Sequence, residues 1–156
     1  MKVALVHDWL TGMRGGERCL EVFCEIFPQA HLYTLLHHRG SVSRLIEQLS
    51  IKTSFIQNLP FSKNGYRRYL PLFPLAVERF DLKGYDLILS CSHCVAKGVI
   101  PSPEAVHISY LLTPMRYAWD MYGAYFGKNE SRMILLFVHY LRMWDVTSSA
   151  RVDHFL

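Results

Sequence analysis

Between a short apolar run, Val3 to Val6, and an amphipathic stretch that starts at Glu17 lies the segment Gly12-Met-Arg-Gly-Gly-Glu17. A glycine loop that opens a helix presents free backbone N–H groups at the positive end of the helix dipole, which suits a phosphate or a carboxylate. The segment follows neither the GxGxxG fingerprint nor the Walker A pattern. A tight turn that uses glycine for positive φ fits the spacing equally well, and spacing alone leaves both readings open.

Other residues able to do chemistry stand where apolar runs end: His7, Asp8 and Trp9, then Ser92 and His93, then Thr113 to Arg116. In an open parallel sheet these are the carboxyl ends of strands, where ligands bind. Arg116 and Asp120 are four residues apart, so a helix would bring them to one face, either at a cleft or as an ion pair beside Trp119. Cys91-Ser-His-Cys94 has thioredoxin-like spacing, but no second Cys/His pair accompanies it for zinc, and a small-residue strand end with buried thiols is the simpler reading. His37 and His38 read as solvated loop residues, and His139 and Arg142 as the solvated side of a late helix. Leu59 to Asp81 interleaves Lys63, Arg67, Arg68 and Arg79 with aromatics. That mixture suits anionic lipid headgroups, but the simpler reading is a helical pair that packs its aromatics against the sheet with arginines in water.

These groups need a frame. Val3 to Val6, Leu32 to Leu36, Ile51 to Ile56, Tyr85 to Ser90 and Val106 to Leu111 read as strands, short and apolar as in a sheet covered on both faces. Helical spacing runs from Glu17 through Leu20, Phe23 and Phe27 until Pro28, and Ser43 to Leu49 makes a short second helix. Pro71 and Pro74 break the 59–81 stretch into two kinked pieces. A short turn or helix follows His93 through Gly98. Met115 to Phe126 reads as helical, Gly127 to Asn129 as a turn, and Ile134, Phe137, Val138, Leu141 and Trp144 mark a last amphipathic helix. Val152 to Leu156 reads as the start of a further buried strand. The alternation of strands and helices predicts one three-layer α/β domain with a mainly parallel sheet, spanning residues 1–156.

Composition agrees with one domain. A chain of 156 residues, 51% hydrophobic, can bury roughly 70% of its unfolded surface and needs no disulfide or metal staple. That composition excludes an intrinsically disordered chain and a disulfide mini-scaffold. With 17 Lys and Arg against 13 Asp and Glu the net charge is only +4, and no basic run marks a nucleic-acid arm. The N-terminus runs directly into a strand, so the expectation is a reducing cytoplasm with Cys19, Cys24, Cys91 and Cys94 as free thiols. The longest apolar stretch, Met133 to Leu141, falls short of the ~20 residues a bilayer span requires.

Taken together, VHDWLTGMRGGER, FDLKGYDLILSCSHCVAKGV and TPMRYAWDMY followed by HYLRMWDVTSSARVDHF resemble the N-terminal domain of family 4 glycosyltransferases. The resemblance covers essentially the whole chain. It implies the Rossmann-like, acceptor-side half of a two-domain GT-B enzyme that moves a sugar from a nucleotide-sugar donor to a hydroxyl acceptor with retention. In polysaccharide or cell-envelope glycan synthesis that acceptor would be a glycan or lipid-linked. No metal or cofactor is implied, since the nucleotide sugar is a substrate.

In that family the glycine loop lies near the donor phosphates, which places Gly15, Gly16 and Glu17 there. Asp8, His93, Arg116 and Asp120 fall at motif positions around the cleft, assigned to acceptor binding or cleft architecture. Arg67 and Arg68 are the expected contacts to an anionic membrane, for a cytoplasmic protein peripheral at the inner face. There are two departures from the family pattern. The donor-binding domain, with its paired glutamates, is absent from this chain, which is expected to be inactive alone, and Leu112 stands where many relatives carry a histidine before Thr-Pro. The rival expectation is a catalytically inactive module that binds a glycan or lipid-linked acceptor.

Overall fold

A computed structural model describes residues 1–120, 123 and 131–156. Six strands form a single sheet in which every pairing is parallel: β1 (Val3–His7), β2 (His31–Thr34), β3 (Ser50–Thr53), β4 (Leu87–Ser92), β5 (Val106–Leu111) and β6 (His154–Phe155). Their order is β3-β2-β1-β4-β5-β6, the doubly wound Rossmann order. The chain is therefore α/β and Rossmann-like, as the alternation of elements predicts.

Alternation along the central strands separates two cores. Ala4 and Val6 of β1, Tyr33 of β2 and Ile88 of β4 enter one, with Phe73, Val77, Leu141 and Trp144 packed against them. Val3, Leu5, Leu32 and Leu89 enter the other, with Leu20, Cys24 and Ile46. The first face is covered by α3 (Ser62–Gly65), a 3-10 turn over Tyr66–Leu72, α4 (Phe73–Glu78) and α5 (Arg132–Ser149). The second is covered by α1 (Gly15–Ile26) and α2 (Arg44–Glu47). Both faces of the middle strands are dry, which is why those strands read as apolar runs.

Several boundaries differ from the sequence reading for identifiable reasons. Leu35 and Leu36 lie beyond β2, because their backbones bond to Asp8 and Leu10 in the segment that follows β1. β3 ends at Thr53 because the Ser54 side chain caps a 3-10 turn over Phe55–Asn58. β4 starts two residues later than expected, after a turn in which Gly84 has φ +71°, a conformation that favours glycine. The 59–81 stretch forms three short pieces, with Pro71 inside the 3-10 turn and Pro74 opening α4. Residues 116–120 form turns where a helix is predicted, and the remainder of the Met115 to Phe126 helix and the Gly127 to Asn129 turn lie almost wholly outside the described residues.

Two further expectations change at the C-terminal end. β6 pairs with β5, yet Phe155 and Leu156 are exposed, because an edge strand has a neighbour on one side only. On α5, His139 is solvated as read, while Arg142 folds back to donate to the Ala118 carbonyl and lies over Trp119. The outer side of that helix carries exposed Met133, Leu136, Tyr140, Met143 and Val146. No described helix is long and apolar enough to cross a membrane.

α5 is tied to the loop after β4 by a buried charge pair. Lys97, 2% exposed, sits 3.0 Å from the Asp145 carboxylate and donates to the Asp145 carbonyl and to Ser149. Trp119 Nε1 donates to the other Asp145 oxygen. Beside it Trp144 lies so close to Gly98 that an added Cβ would sit 2.3 Å from the indole. Removing one partner of such a pair leaves the other charge buried and uncompensated. Lys97→Met is expected to cost about 3–5 kcal/mol, read from urea unfolding curves, and adding Asp145→Asn should recover part of the loss.

Candidate functional site

Chain connections run one way from β1 and the other way from β4, so their carboxyl ends diverge and leave a crevice at the switch point. His7, Asp8 and Trp9 leave β1 there, and Ser92 and His93 end β4. Both segments are held together by a single side chain. Asp8 is wholly buried, and its carboxylate accepts four backbone N–H groups: those of His93 at 2.7 Å, Cys94 at 3.0 Å, Val95 at 2.6 Å and Ala96 at 2.8 Å. His93 Nδ1 lies 3.0 Å from the same carboxylate. Asp8 is thus committed to architecture, and His93 is the part of this pair that reaches the crevice.

The floor beside it is built by His7 and Glu17. His7 Nδ1 donates to the Cys91 carbonyl at 3.0 Å, while Nε2, fully buried, lies 3.6 Å from Glu17 Oε1. Glu17 accepts from the Arg14 N–H at 3.0 Å across the first turn of α1. Burial pushes the Glu17 carboxyl up, but the His7 ring and the backbone amides of Glu17 and Arg14 outweigh it and hold the carboxyl below its ordinary range. For His93 burial is the largest effect and lowers its pKa. Asp8 and Glu17 oppose that shift, and His7 and Arg14 add to it.

The position before α1 belongs to Arg14, whose side chain caps nothing. The N–H groups of Gly15 and Gly16 consequently bond to no described residue. Gly16 is closely packed: a Cβ there would lie 2.9 Å from Leu112 Cδ1 and 3.3 Å from His7 Cε1, so the Leu112 side chain would have to move. Leu112 therefore closes over the glycine loop from the end of β5. A cavity of about 370 Å³ results, lined by Trp9, Arg14, Gly15, Gly16, Glu17, His93, Leu112, Thr113 and Arg116. Its lining combines two arginines and uncapped helix N–H groups with an imidazole packed against an indole.

The structure thus brings Gly15, Gly16, Glu17, His93 and Arg116 together, with Asp8 beneath them. Asp120 is exposed and does not line the cavity, and no ion pair joins it to Arg116. Arg67 lines a neighbouring hollow of about 250 Å³ with Arg14, His38 and Lys63, and Arg68 lies over the exposed Phe61 ring. His37 is held by Glu47 at 3.0 Å and is no free loop residue. Cys19 and Cys24 lie on α1, and all four thiols are unpaired. Burial, reinforced at Cys91 by Cys19 and Asp8 and at Cys94 by Asp8, pushes both thiols up, the opposite of a reactive thiolate. Among the described residues no group of three or more His, Cys, Asp or Glu is placed to hold a metal ion.

Arg14 and Thr113 carry more of this site than their sequence context announces. The signal for Arg14 is a cation where a helix start ordinarily places Ser, Thr, Asp or Asn.

No protein-family model matches the chain, and no curated protein matches it. Among solved structures it is similar to a lipopolysaccharide outer core galactosyltransferase, WaaB, in its apo form, at 13% identity and a TM-score of 0.37. The match covers 70% of this chain and 32% of that one, so the chain aligns with about a third of the neighbour's length.

The electrostatics of the crevice carry a stability signature. His93 and the buried His107, which bonds Ser90 and the Arg151 carbonyl, both have pKa values lowered chiefly by burial. As pH falls through ~6.5 the unfolded chain takes up these protons before the folded one does. Stability therefore falls with pH below that point, until the lowered folded-state values are passed. Glu17, with a lowered carboxyl pKa, adds stability above its unfolded value that is lost at still lower pH. Urea midpoints measured at pH 7.5 and 5.5 should drop toward acid, and His93→Gln should shrink that drop; an unchanged pH dependence would place the proton uptake elsewhere.

Proposed function

We propose that this chain is the acceptor-side domain of a retaining glycosyltransferase, which moves a sugar from a nucleotide-sugar donor to a glycan or lipid-linked hydroxyl acceptor in polysaccharide or cell-envelope glycan synthesis. The observation that carries the reading is the junction of two kinds of recognition in one cavity at the switch point. Uncapped N–H groups of Gly15 and Gly16, with Arg14 and Arg116, suit the phosphates of a nucleotide diphosphate. In the same cavity, the His93 imidazole against the Trp9 indole, with ring centroids 4.5 Å apart, suits the polar edge and apolar face of a sugar. Donor nucleotide contacts would come mainly from a second domain, so the chain alone is expected to bind weakly and not to turn over.

The rival, a glycan-binding module without activity, draws its support from Leu112. That side chain fills the space over Gly16 and can neither hydrogen-bond a sugar nor stabilise developing charge. Two-dimensional NMR of the labelled chain separates the readings. Millimolar uridine or guanosine diphosphate should move the amides of Gly15, Gly16 and Glu17, and Arg14→Ala should weaken the effect about tenfold, the loss of one charge-assisted hydrogen bond. Amides that stay put under both nucleotides, while a glycan moves those around Trp9 and His93, would favour the binding module.

A peripheral position on an anionic membrane, facing the cytoplasm, is part of the proposal. It is favoured by the stretch from 61 to 75, in which Phe61, Leu72 and Leu75 are exposed, as are Lys63, Arg67 and Arg68, and Arg68 lies over the Phe61 ring. Phe61 is 67% exposed and adopts a left-handed φ of 60°, a strained conformation for an aromatic residue. Vesicles rich in phosphatidylglycerol should co-sediment the chain at low salt, and Arg67→Ala with Arg68→Ala should weaken that binding by roughly tenfold or more. Equal sedimentation of the double variant would remove the membrane from the proposal.

A further inference from the structure

The imidazole of His93 is fixed in a way that determines which hydrogen bond it can offer. The Asp8 carboxylate is anchored by the N–H groups of residues 93 to 96, so it cannot turn away from Nδ1, 3.0 Å distant. The contact lacks hydrogen-bond geometry, but a carboxylate only accepts, and an Nδ1 lone pair held 3.0 Å from it would be repelled; the charge of Asp8 therefore favours the tautomer with the proton on Nδ1. The ring plane is set by the edge-on Trp9 indole at 87° and by the His7 ring 5.8 Å away. Nε2 has no hydrogen-bond partner among the described residues, and the side chain is 27% exposed along the cavity it lines.

Most other polar groups lining this cavity donate: the guanidiniums of Arg14 and Arg116 and the N–H groups of Gly15 and Gly16. The Glu17 carboxylate is already engaged by the Arg14 N–H and faces His7. Besides the Glu17 oxygen that lies 3.6 Å from His7 Nε2, two neutral groups can accept, Nε2 of His93 and the buried, unpartnered Oγ1 of Thr113. A ligand bearing only anionic oxygens would satisfy the donors and leave both unused.

We propose that His93 Nε2, locked as an acceptor by Asp8, takes a hydrogen bond from a neutral hydroxyl of the bound ligand, with Asp8 as its positioning residue. The cavity then selects a molecule that carries a phosphate-type anion and a hydroxyl together. This deepens the proposed function and rests on the cavity being its ligand site. Protonation at Nε2 would turn the acceptor into a donor among donors. The charged and titratable groups facing it are Asp8, His7, Glu17, Arg14 and, across the cavity, Arg116. Hydroxyl recognition is thereby confined to the neutral ring, which burial favours near pH 7.

Long-range nitrogen-15 spectroscopy of the histidine-labelled chain tests the lock directly. At pH 7.5 His93 should show the Nδ1–H tautomer, and an Nε2–H tautomer or a protonated ring would overturn the proposal. Methyl α-glucoside and inorganic diphosphate then serve as separate probes. The glucoside should shift the Nε2 resonance, and the shift should vanish as pH is lowered through the protonation of His93. His93→Phe should weaken glucoside binding about tenfold, whereas His93→Gln, which keeps an acceptor, should stay within about threefold of the parent. Glucoside binding unchanged in His93→Phe, or an Nε2 that does not respond while diphosphate still moves Gly15 and Gly16, overturns hydroxyl reading and leaves the phosphate reading standing. A cavity silent to both probes overturns the proposed function and this inference with it.

Discussion

Asp8 ends the central strand of the sheet inside the protein, with no water to solvate its charge. A buried carboxylate is tolerable only when its oxygens are saturated, and here the chain supplies four N–H groups from one continuous segment, residues 93 to 96. The same bonds answer a second need, since those amides leave β4 with no strand partner and would otherwise be buried without acceptors. Each side of the contact is costly alone and satisfied by the other. The carboxyl ends of β1 and β4, which sheet topology makes diverge, are thereby pinned at a fixed separation, and the crevice has a rigid floor.

That pin extends outward through the next residues. Lys97 follows directly and buries its ammonium against Asp145 of α5, while the Gly98 carbonyl receives Arg151, which also pairs with Glu78 of α4 at 2.7 Å. Trp144 donates to the same glutamate. Two helices of one layer are therefore registered against the segment that Asp8 organises. A shift of α5 would have to break the buried Lys97–Asp145 pair, and a shift of α4 the partly exposed Glu78–Arg151 pair, before it moved His93. Such networks contribute little net stability against an apolar alternative, but they resist displacement, and positional fidelity is what a recognition site demands.

The central strands were legible because burial on both faces leaves an unmistakable apolar run, and β5, although only partly buried, falls where the residues Val106 to Leu111 predict it. The boundaries that moved did so where backbone bonds, invisible to hydropathy, recruited apolar residues: Leu35 and Leu36 read as strand but serve the extension of β1. For the site, residue type was informative and role was not. Asp8 and His93 are both polar residues at strand ends, yet one is wholly consumed by backbone amides and the other retains an open nitrogen. Distinguishing them requires the register β1 to β4, which sets His7 beside Cys91 and hence Asp8 beneath the turn that follows. Arg116 and Asp120 show the converse failure: helical spacing joined them, and the chain makes turns there instead.

The start of α1 states the balance between stability and recognition most directly. A Ser or Asp before the helix would cap its amides and stabilise it by about 1 kcal/mol. Arg14 cannot accept a hydrogen bond, so the amides of Gly15 and Gly16 stay open, and Glu17 is drawn back onto the Arg14 N–H and toward His7. The acidic residue of the first turn lines the cavity but is thereby turned toward its own backbone and the His7 ring. Open amides, a cation at the cap position and a carboxylate engaged by its own turn all act in one direction: they leave the helix start positive. Leu112 sharpens this by removing polar competition from above, since its methyl groups rest on the Gly16 position without a hydrogen bond to give. A helix start stripped of internal partners in this way is less stable than it could be, by about the 1 kcal/mol that a side-chain cap contributes.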